Sequence, residues 1–190
     1  YGGADADRLF SMILIEEQAR ANISSLGFGV HSEITAPYLL NYGSTKLKRK
    51  YLPKMASGEL IAAIAMTEPG TGSDLQSIKT SAVKSSDSYI LNGSKTFITN
   101  GWNCDLVIVV AKTDKEKKAR GTSLFVVDKT MKGFSKGKRL KKMGLKGQDT
   151  SELFFDNVEV PKENLLGQEN DGFIYLMQEL PWERLQIAIS

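Results

Sequence analysis

The residues with the densest chemical potential form one short run, Met66-Thr67-Glu68-Pro69-Gly70-Thr71-Gly72-Ser73-Asp74. It follows an apolar strand and packs two glycines, a proline and small hydroxyl residues into a tight loop. Glycine has no Cβ, so the backbone N–H groups of such a loop can approach a flat or anionic ligand closely. A phosphate loop needs Gly-Lys-Ser/Thr, and a dinucleotide fingerprint needs a helix to follow; this run has neither. Taken alone, the run reads first as a plain structural turn between a strand and a loop. A second segment, Phe97-Ile98-Thr99-Asn100-Gly101, sets a hydroxyl beside an aromatic ring. Read alone, it is a strand end with Phe97 in the core.

Other chemistries are poorly provided for. One cysteine, Cys104, excludes an internal disulfide framework, and one histidine, His31, argues against a protein-built metal site. A Ser-His-Asp triad would have to rest on that His31. Cys104 reads as a small apolar residue and His31 as a surface or helix-end residue. The net charge of +3 is uneven: residues 112 to 146 hold 13 Lys/Arg against three acids. That block reads first as a solvated surface and second as a face for an anionic ligand. It has no interleaved aromatics for base stacking, so no nucleic-acid partner is expected.

The composition, 41% hydrophobic and 25% charged over 190 residues, is that of a folded globular protein. No apolar run approaches the roughly 18 residues of a membrane span. The chain opens at Tyr1 without Met and stops within the apolar-periodic stretch Ile187-Ala188-Ile189-Ser190, so it reads as an excerpt of a longer chain.

The elements that must position these residues fall into three zones. Residues 1–60 read as helical, with Ser44 as an N-cap and with Pro53 and Gly58 ending the segment. Residues 61–167 read as strands. Asn92-Gly93 suits a tight hairpin turn between Tyr89-Ile90-Leu91 and Thr96-Phe97-Ile98-Thr99. Leu106 to Ala111 is apolar enough for a fully buried strand, and Leu124–Val127 and Leu153–Phe155 add two more. Residues 168–190 return to helical spacing, interrupted by Pro181, where a continuing helix must kink. The fold class is α+β, with helices, then an antiparallel β-barrel or sandwich, then the first helix of another helical region.

At this level of detail the chain resembles the acyl-CoA dehydrogenase family. The resemblance rests on Ala65-Met66-Thr67-Glu68-Pro69-Gly70-Thr71-Gly72-Ser73-Asp74, Asn92 to Gly101, Lys142-Met143-Gly144-Leu145, Phe155-Asp156-Asn157-Val158-Glu159-Val160-Pro161 and Leu166-Gly167, in that order. It covers essentially the whole chain. The end, Gln178-Glu179-Leu180-Pro181-Trp182-Glu183-Arg184-Leu185, looks most like the long-chain branch.

The resemblance implies the end of an N-terminal helical domain (1–60), a middle β domain (61–167) and the start of a C-terminal helical bundle (168–190). It implies FAD, with Ile64, Ala65, Met66, Thr67, Glu68, Pro69, Gly70, Thr71, Gly72 and Ser73 running along the flavin. Phe97 would pack on the ring, beside Ile98, and Thr99 would bond near the flavin N5. Ser73 would lie between flavin and acyl-CoA, and the phosphates of coenzyme A become a second candidate partner for the basic block. The implied activity is α,β-dehydrogenation of a long-chain acyl-CoA in fatty-acid β-oxidation, by a homotetramer passing electrons to electron-transfer flavoprotein. The compartment would be the mitochondrial matrix in a eukaryote or the cytoplasm in a bacterium, the latter slightly preferred. Branched or short-chain (isovaleryl-type) substrates, or a non-catalytic flavin-binding or assembly module, are the alternatives. The excerpt alone would be incomplete for activity.

The same resemblance places the catalytic base at Glu183, in a Glu-Arg-Leu context, with Pro181, Trp182 and Arg184 beside the substrate. A carboxylate suits that role where apolar neighbours raise its pKa, and Leu180, Pro181, Trp182 and Leu185 are such neighbours in sequence. Without the resemblance, Glu183 reads first as one half of an ion pair on a solvated helix face. Glu179 lies four residues earlier on the same helical face and is its rival.

Overall fold

The computed structural model of the chain describes residues 1–23 and 25–190. Helices come first: α1 (Arg8–Arg20), a π-helical stretch Val30–Thr35, α2 (Ala36–Tyr42) and α3 (Thr45–Ala56). Eight strands follow: β1 (Ala62–Ala65), β2 (Ser81–Ser85), β3 (Ser88–Thr99), β4 (Leu106–Lys112), β5 (Thr122–Asp128), β6 (Phe134–Arg139), β7 (Thr150–Pro161) and β8 (Leu165–Leu166). The helix α4 (Gly172–Ile189) closes the order. Among the described residues no helix is long and apolar enough to cross a membrane.

The strands pair in the order β6-β7-β3-β2-β4-β5-β8, with β1 alongside β4. The path is open at β6 and β8, so the β region is a sandwich and not a barrel. Most pairings are antiparallel, but β1 runs parallel to β4, and β2 touches β4 only at the parallel pair Ser81–Lys112. That thin junction divides the path into two layers.

The strand β4 explains how the layers and helices are held together. It is buried along its whole length. Val107, Val109 and Ala111 face the core between the sheets, with Ala63, Leu91, Phe125 and Leu153. Leu106, Ile108 and Val110 face the other way, onto Tyr38, Leu39, Tyr51 and Met55 of the helices. A strand covered on both faces loses polar alternation, and that is why Leu106–Ala111 reads as one apolar run.

Three local expectations are corrected. Asn92-Gly93 is not a hairpin turn: β3 runs straight through it, and the turn between β2 and β3 is Ser86-Asp87. Gly93 instead marks a register shift against β7, with φ at +151° and a Cβ there only 2.7 Å from the Thr80 backbone. Glycine in a strand serves a bulge or a close approach as readily as a turn, and here it serves both. Pro53 does not end α3, which continues to Ala56; Gly58, at φ +75°, follows the terminus. Likewise α4 runs without interruption through Pro181. The expected cap is present, the Ser44 hydroxyl accepting from the Leu47 N–H at 3.3 Å. The short basic strand β6 carries no alternation of the kind that marks a strand, and the sequence reading passes it over.

Replacing Gly93 by alanine forces a Cβ into Thr80 and should cost about 1–3 kcal/mol of stability. A lowered midpoint in urea denaturation with an unchanged slope is the expected result.

Candidate functional site

The Met66–Asp74 loop is built around a buried ion pair. Glu68 and Thr71 exchange backbone hydrogen bonds at 2.8 and 3.0 Å, which closes the turn. The Glu68 carboxylate then turns inward, accepting from the Lys79 N–H (2.6 Å), the Thr80 N–H (2.9 Å) and Lys95 Nζ (2.9 Å). Lys95 reaches it from β3 and also donates to the Met66 carbonyl at 2.9 Å. The Lys95 side chain has no exposed surface, and the Glu68 side chain is 6% exposed.

The two groups sustain each other's charge. Burial alone would raise the Glu68 carboxyl, but the Lys95 ammonium and the surrounding donors bring it below the ordinary value. Burial pushes Lys95 down to about 8, with Glu68 opposing. Both are ionised at neutral pH. Glu68 therefore spends its carboxylate inside the protein, and only its backbone is left to face a ligand.

The outer face of the loop is open. Pro69, Gly70, Gly72 and Ser73 are exposed. Gly70 and Gly72 do not adopt positive φ, and a Cβ on either would meet nothing within 4 Å. Nothing within the described residues requires glycine there; a flat ligand laid against the backbone would. By that test the loop fits the flavin implied by the resemblance. Ala65 lies in the core between the sheets, while Ile64 and Met66 pack toward the helices.

The strand β3 supplies the next residues. Its pairing with β7 slips between Lys95 and Ile98, and Phe97 takes φ +58° at the slip. The ring is turned out of the sheet and is 67% exposed, so the reading of Phe97 as core is overturned, while Ile98 goes inward at 3%. A bulky residue at positive φ is uncommon and tends to mark a site where orientation matters. Thr99 lines a cavity of about 800 Å³, together with Ile15 of α1, Val30, Leu145, Gln148 and Gln186 of α4.

Beneath this cavity lie two more buried polar groups. His31, read as a surface or helix-end residue, lies at the start of the π-helical stretch and is buried. Its Nδ1 accepts from the Ala62 N–H at 3.0 Å, so Nε2 carries the proton and donates to the Met55 carbonyl at 3.0 Å. It joins the end of α3 to the start of β1. Asn100 donates to the Gly27 carbonyl at 2.8 Å, tying the end of β3 to the π-helical stretch's approach.

On α4 the carboxylates of Glu179 and Glu183 are both buried against α2. Glu183 accepts from the Tyr38 hydroxyl at 2.8 Å. Glu179 accepts from Asn41 at 2.7 Å and the Tyr42 hydroxyl at 2.9 Å. Burial raises the Glu183 carboxyl above the ordinary value; the Tyr38 hydrogen bond opposes this, the Glu179 charge reinforces it, and Arg184 opposes it. Trp182 donates its indole N–H to the Glu33 carbonyl at 3.1 Å, with the Arg8 guanidinium 4.8 Å from its ring centre. Pro181 and Arg184 are exposed. Thr99 and Gln186 thus share one cavity, whereas Glu183, one turn before Gln186, faces α2.

The basic block is partly engaged within the chain. Lys129 pairs with Asp105 and Lys117 with Asp114, Lys136 donates to the Trp102 and Cys104 carbonyls, and Lys112 is buried. Tyr38, Tyr42, Asn41 and Lys95 escape the sequence reading, since their partners lie far along the chain; Tyr38 and Glu183 are 145 residues apart.

The Lys95–Glu68 pair makes the loop sensitive to acid. Because the folded Glu68 value lies below the ordinary 4.5, its contribution is complete above that pH and is lost as pH falls through the folded value. Lys95→Met, which leaves Glu68 buried without its partner, should cost about 3–5 kcal/mol. Urea denaturation near neutral pH and again at acid pH checks this, the gap between wild type and variant narrowing as Glu68 protonates.

Comparison with known proteins points to the same family as the sequence motifs. The family profile for the acyl-CoA dehydrogenase N-terminal domain matches residues 1–59, and that for the middle domain matches residues 63–158. Long-chain specific acyl-CoA dehydrogenase of Mus musculus is 56% identical over 99% of this chain and 44% of its own length. Isovaleryl-CoA dehydrogenase of Pongo abelii is 45% identical, over 99% and 45%. The crystal structure of an acyl-CoA dehydrogenase from Geobacillus kaustophilus superposes with a TM-score of 0.96 at 52% identity, covering 100% of this chain and 50% of that one. The chain spans about half the length of these relatives. From the open glycine loop, the sandwich that carries it and these matches together, the chain belongs to the acyl-CoA dehydrogenase family.

Proposed function

We propose that the protein is an FAD-dependent dehydrogenase that converts a long-chain acyl-CoA to the trans-2-enoyl-CoA, with Glu183 as the base. The observation that carries this reading is the Glu183 carboxylate itself: buried, raised in pKa and held on α4 in a Pro-Trp-Glu-Arg context. A base at neutral pH needs such surroundings to retain useful proton affinity.

A flavin held by these residues would supply the acceptor for a hydride from the substrate β-carbon. This chain's residues do the remainder. Glu183 removes the α-proton. The backbone from Ile64 to Ser73 would hold the flavin, with Thr67 contributing a hydroxyl and Ser73 serving both flavin and acyl chain. Phe97, turned outward by its bulge, would cover the ring, Ile98 anchors that segment in the core, and Thr99 would orient the flavin. Pro181, Trp182 and Arg184 flank the thioester. Most of the rate advantage then comes from alignment of the two carbons between base and acceptor.

The long-chain preference is supported by the 56% identity to a long-chain enzyme. An isovaleryl-type substrate is the second reading, supported by the 45% relative. A homotetramer, transfer of electrons to electron-transfer flavoprotein, and a matrix or bacterial cytoplasmic location complete the proposal, resting on family resemblance. A mitochondrial relative and bacterial relatives are both at hand.

Anaerobic titration of the flavin-loaded protein with palmitoyl-CoA, then isovaleryl-CoA, tests the reading. Stoichiometric bleaching by palmitoyl-CoA is expected; bleaching by isovaleryl-CoA alone moves the substrate, and bleaching by neither favours a non-catalytic module. Glu183→Gln should keep the flavin and slow its reduction by about 10²–10⁴-fold. In wild type, kcat/KM should rise with pH as Glu183 loses its proton, with the acid limb above the ordinary carboxylate range. Gly70→Ala should change stability by no more than about 0.5 kcal/mol while lowering flavin occupancy, measured as the ratio of flavin to protein absorbance.

A further inference from the structure

The α2–α4 contact is lined by polar groups where packed helices ordinarily meet through apolar ones. Tyr38 is fully buried, its ring in the core beneath β4 and its hydroxyl 2.8 Å from Glu183 Oε1. One turn away on each helix the arrangement repeats: Tyr42 and Asn41 hold Glu179 at 2.9 and 2.7 Å, and Tyr42 is itself stacked on Tyr175 at 4.1 Å. We propose that Tyr38 is a positioning residue for the Glu183 carboxylate, fixing the rotamer of the base from the opposite helix. The inference rests on the reading of Glu183 as the base.

The physical case has three parts. A buried carboxylate needs a donor, and a tyrosine hydroxyl anchored by a fully packed ring supplies one at a fixed point, with far less freedom than a lysine or a water. The hydroxyl binds only Oε1, so Oε2 is left for the proton it must take. Glu179, a like charge on the same face of α4, opposes ionisation of Glu183, while the Tyr38 hydrogen bond and the Arg184 cation favour it. The groups facing Glu183 are therefore Tyr38 from α2 and Glu179 and Arg184 from α4. Asn41 and Tyr42 act on it only through Glu179. Removing the donor or the like charge should move the base in opposite directions. A purely structural contact would move it in neither.

The test uses the complete flavin-loaded protein. Tyr38→Phe keeps the ring and removes one oxygen. It should shift the acid limb of kcat/KM to higher pH and slow flavin reduction about tenfold at saturating substrate, through the lost orientation. Glu179→Gln should shift the acid limb to lower pH. Difference infrared spectroscopy gives a readout independent of turnover: the protonated-carboxyl band that disappears in Glu183→Gln should titrate at higher pH in Tyr38→Phe and at lower pH in Glu179→Gln. If Glu183→Gln reduces its flavin normally, the assignment of the base fails. If Glu183→Gln is inactive but Tyr38→Phe moves neither the acid limb nor the infrared midpoint, the base stands and the role of Tyr38 is overturned. Should Tyr38→Phe lose its flavin, the infrared titration of the flavin-free protein decides between the same two outcomes.

Discussion

The candidate site depends on a lysine and a glutamate that have both left water. Lys95 and Glu68 meet at 2.9 Å with almost no exposed surface between them, an arrangement whose desolvation cost rivals its attraction. An apolar pair of the same volume would fill the space as well. It would not point anywhere. Lys95 donates to Met66 as well as Glu68, and Glu68 accepts from Lys79 and Thr80, so the exit of β1, the approach to β2 and the middle of β3 are tied to one point. With its inner hydrogen bonds made there, the loop can present Gly70, Gly72 and Ser73 outward without collapsing onto the sheet. Conformational specificity is the use of a buried pair that this geometry supports.

A second dependence runs through β4. Because one face of this strand packs between the sheets and the other packs on α2 and α3, the helices cannot shift without opening the sandwich. His31 adds a directional restraint at the same seam, one nitrogen on each side. The position of Tyr38 is inherited from this stack. Its ring belongs to the core under β4, and only its hydroxyl reaches α4. Glu183, by way of Tyr38, and the Met66–Asp74 loop, by way of β1, are thus both referenced to β4.

Much of this was legible beforehand, and the failures have causes. Leu106–Ala111 announced a doubly covered strand because burial on both faces leaves an apolar run. Ser44 announced a cap because its hydroxyl has one favoured use there. Asn92-Gly93 misled because glycine answers to any demand for unusual backbone, and the demand came from Thr80 on a neighbouring segment rather than from a turn. Pro53 and Pro181 misled because tertiary packing outweighs a lost hydrogen bond when the rest of the helix is held. The strand β6, Phe-Ser-Lys-Gly-Lys-Arg, is an edge strand, and its lysines and arginine are the residues edges favour against further pairing; its charge was visible and its pairing was not. The loop stood out by its own glycines and hydroxyls, whereas the roles read for its residues and for Glu183 come from family resemblance alone. Lys95 and Tyr38 were not found at all, since a partner 27 or 145 residues away leaves no local pattern.

Helix α4 shows the same limit most sharply. Its apolar spacing invites an inward face of Leu and Met, yet Glu179, Glu183 and Gln186 are buried while Ile174, Met177, Leu185 and Ile187 are exposed. Ordinary amphipathic logic is inverted because the opposing surface of α2 offers hydroxyls and an amide at matching intervals, Tyr38, Asn41 and Tyr42. Each buried carboxylate is met, so neither is left as an unpaired charge. A helix that only had to pack would gain more from leucine at these positions. Holding two glutamates one turn apart, each beside a tyrosine hydroxyl, separates their environments: Tyr38 donates to Glu183, whereas the single Tyr42 proton lies between Gln178 and Glu179, which also accepts from Asn41. Glu183, whose carboxyl burial raises above the ordinary value, is the one that the family resemblance assigned to proton removal.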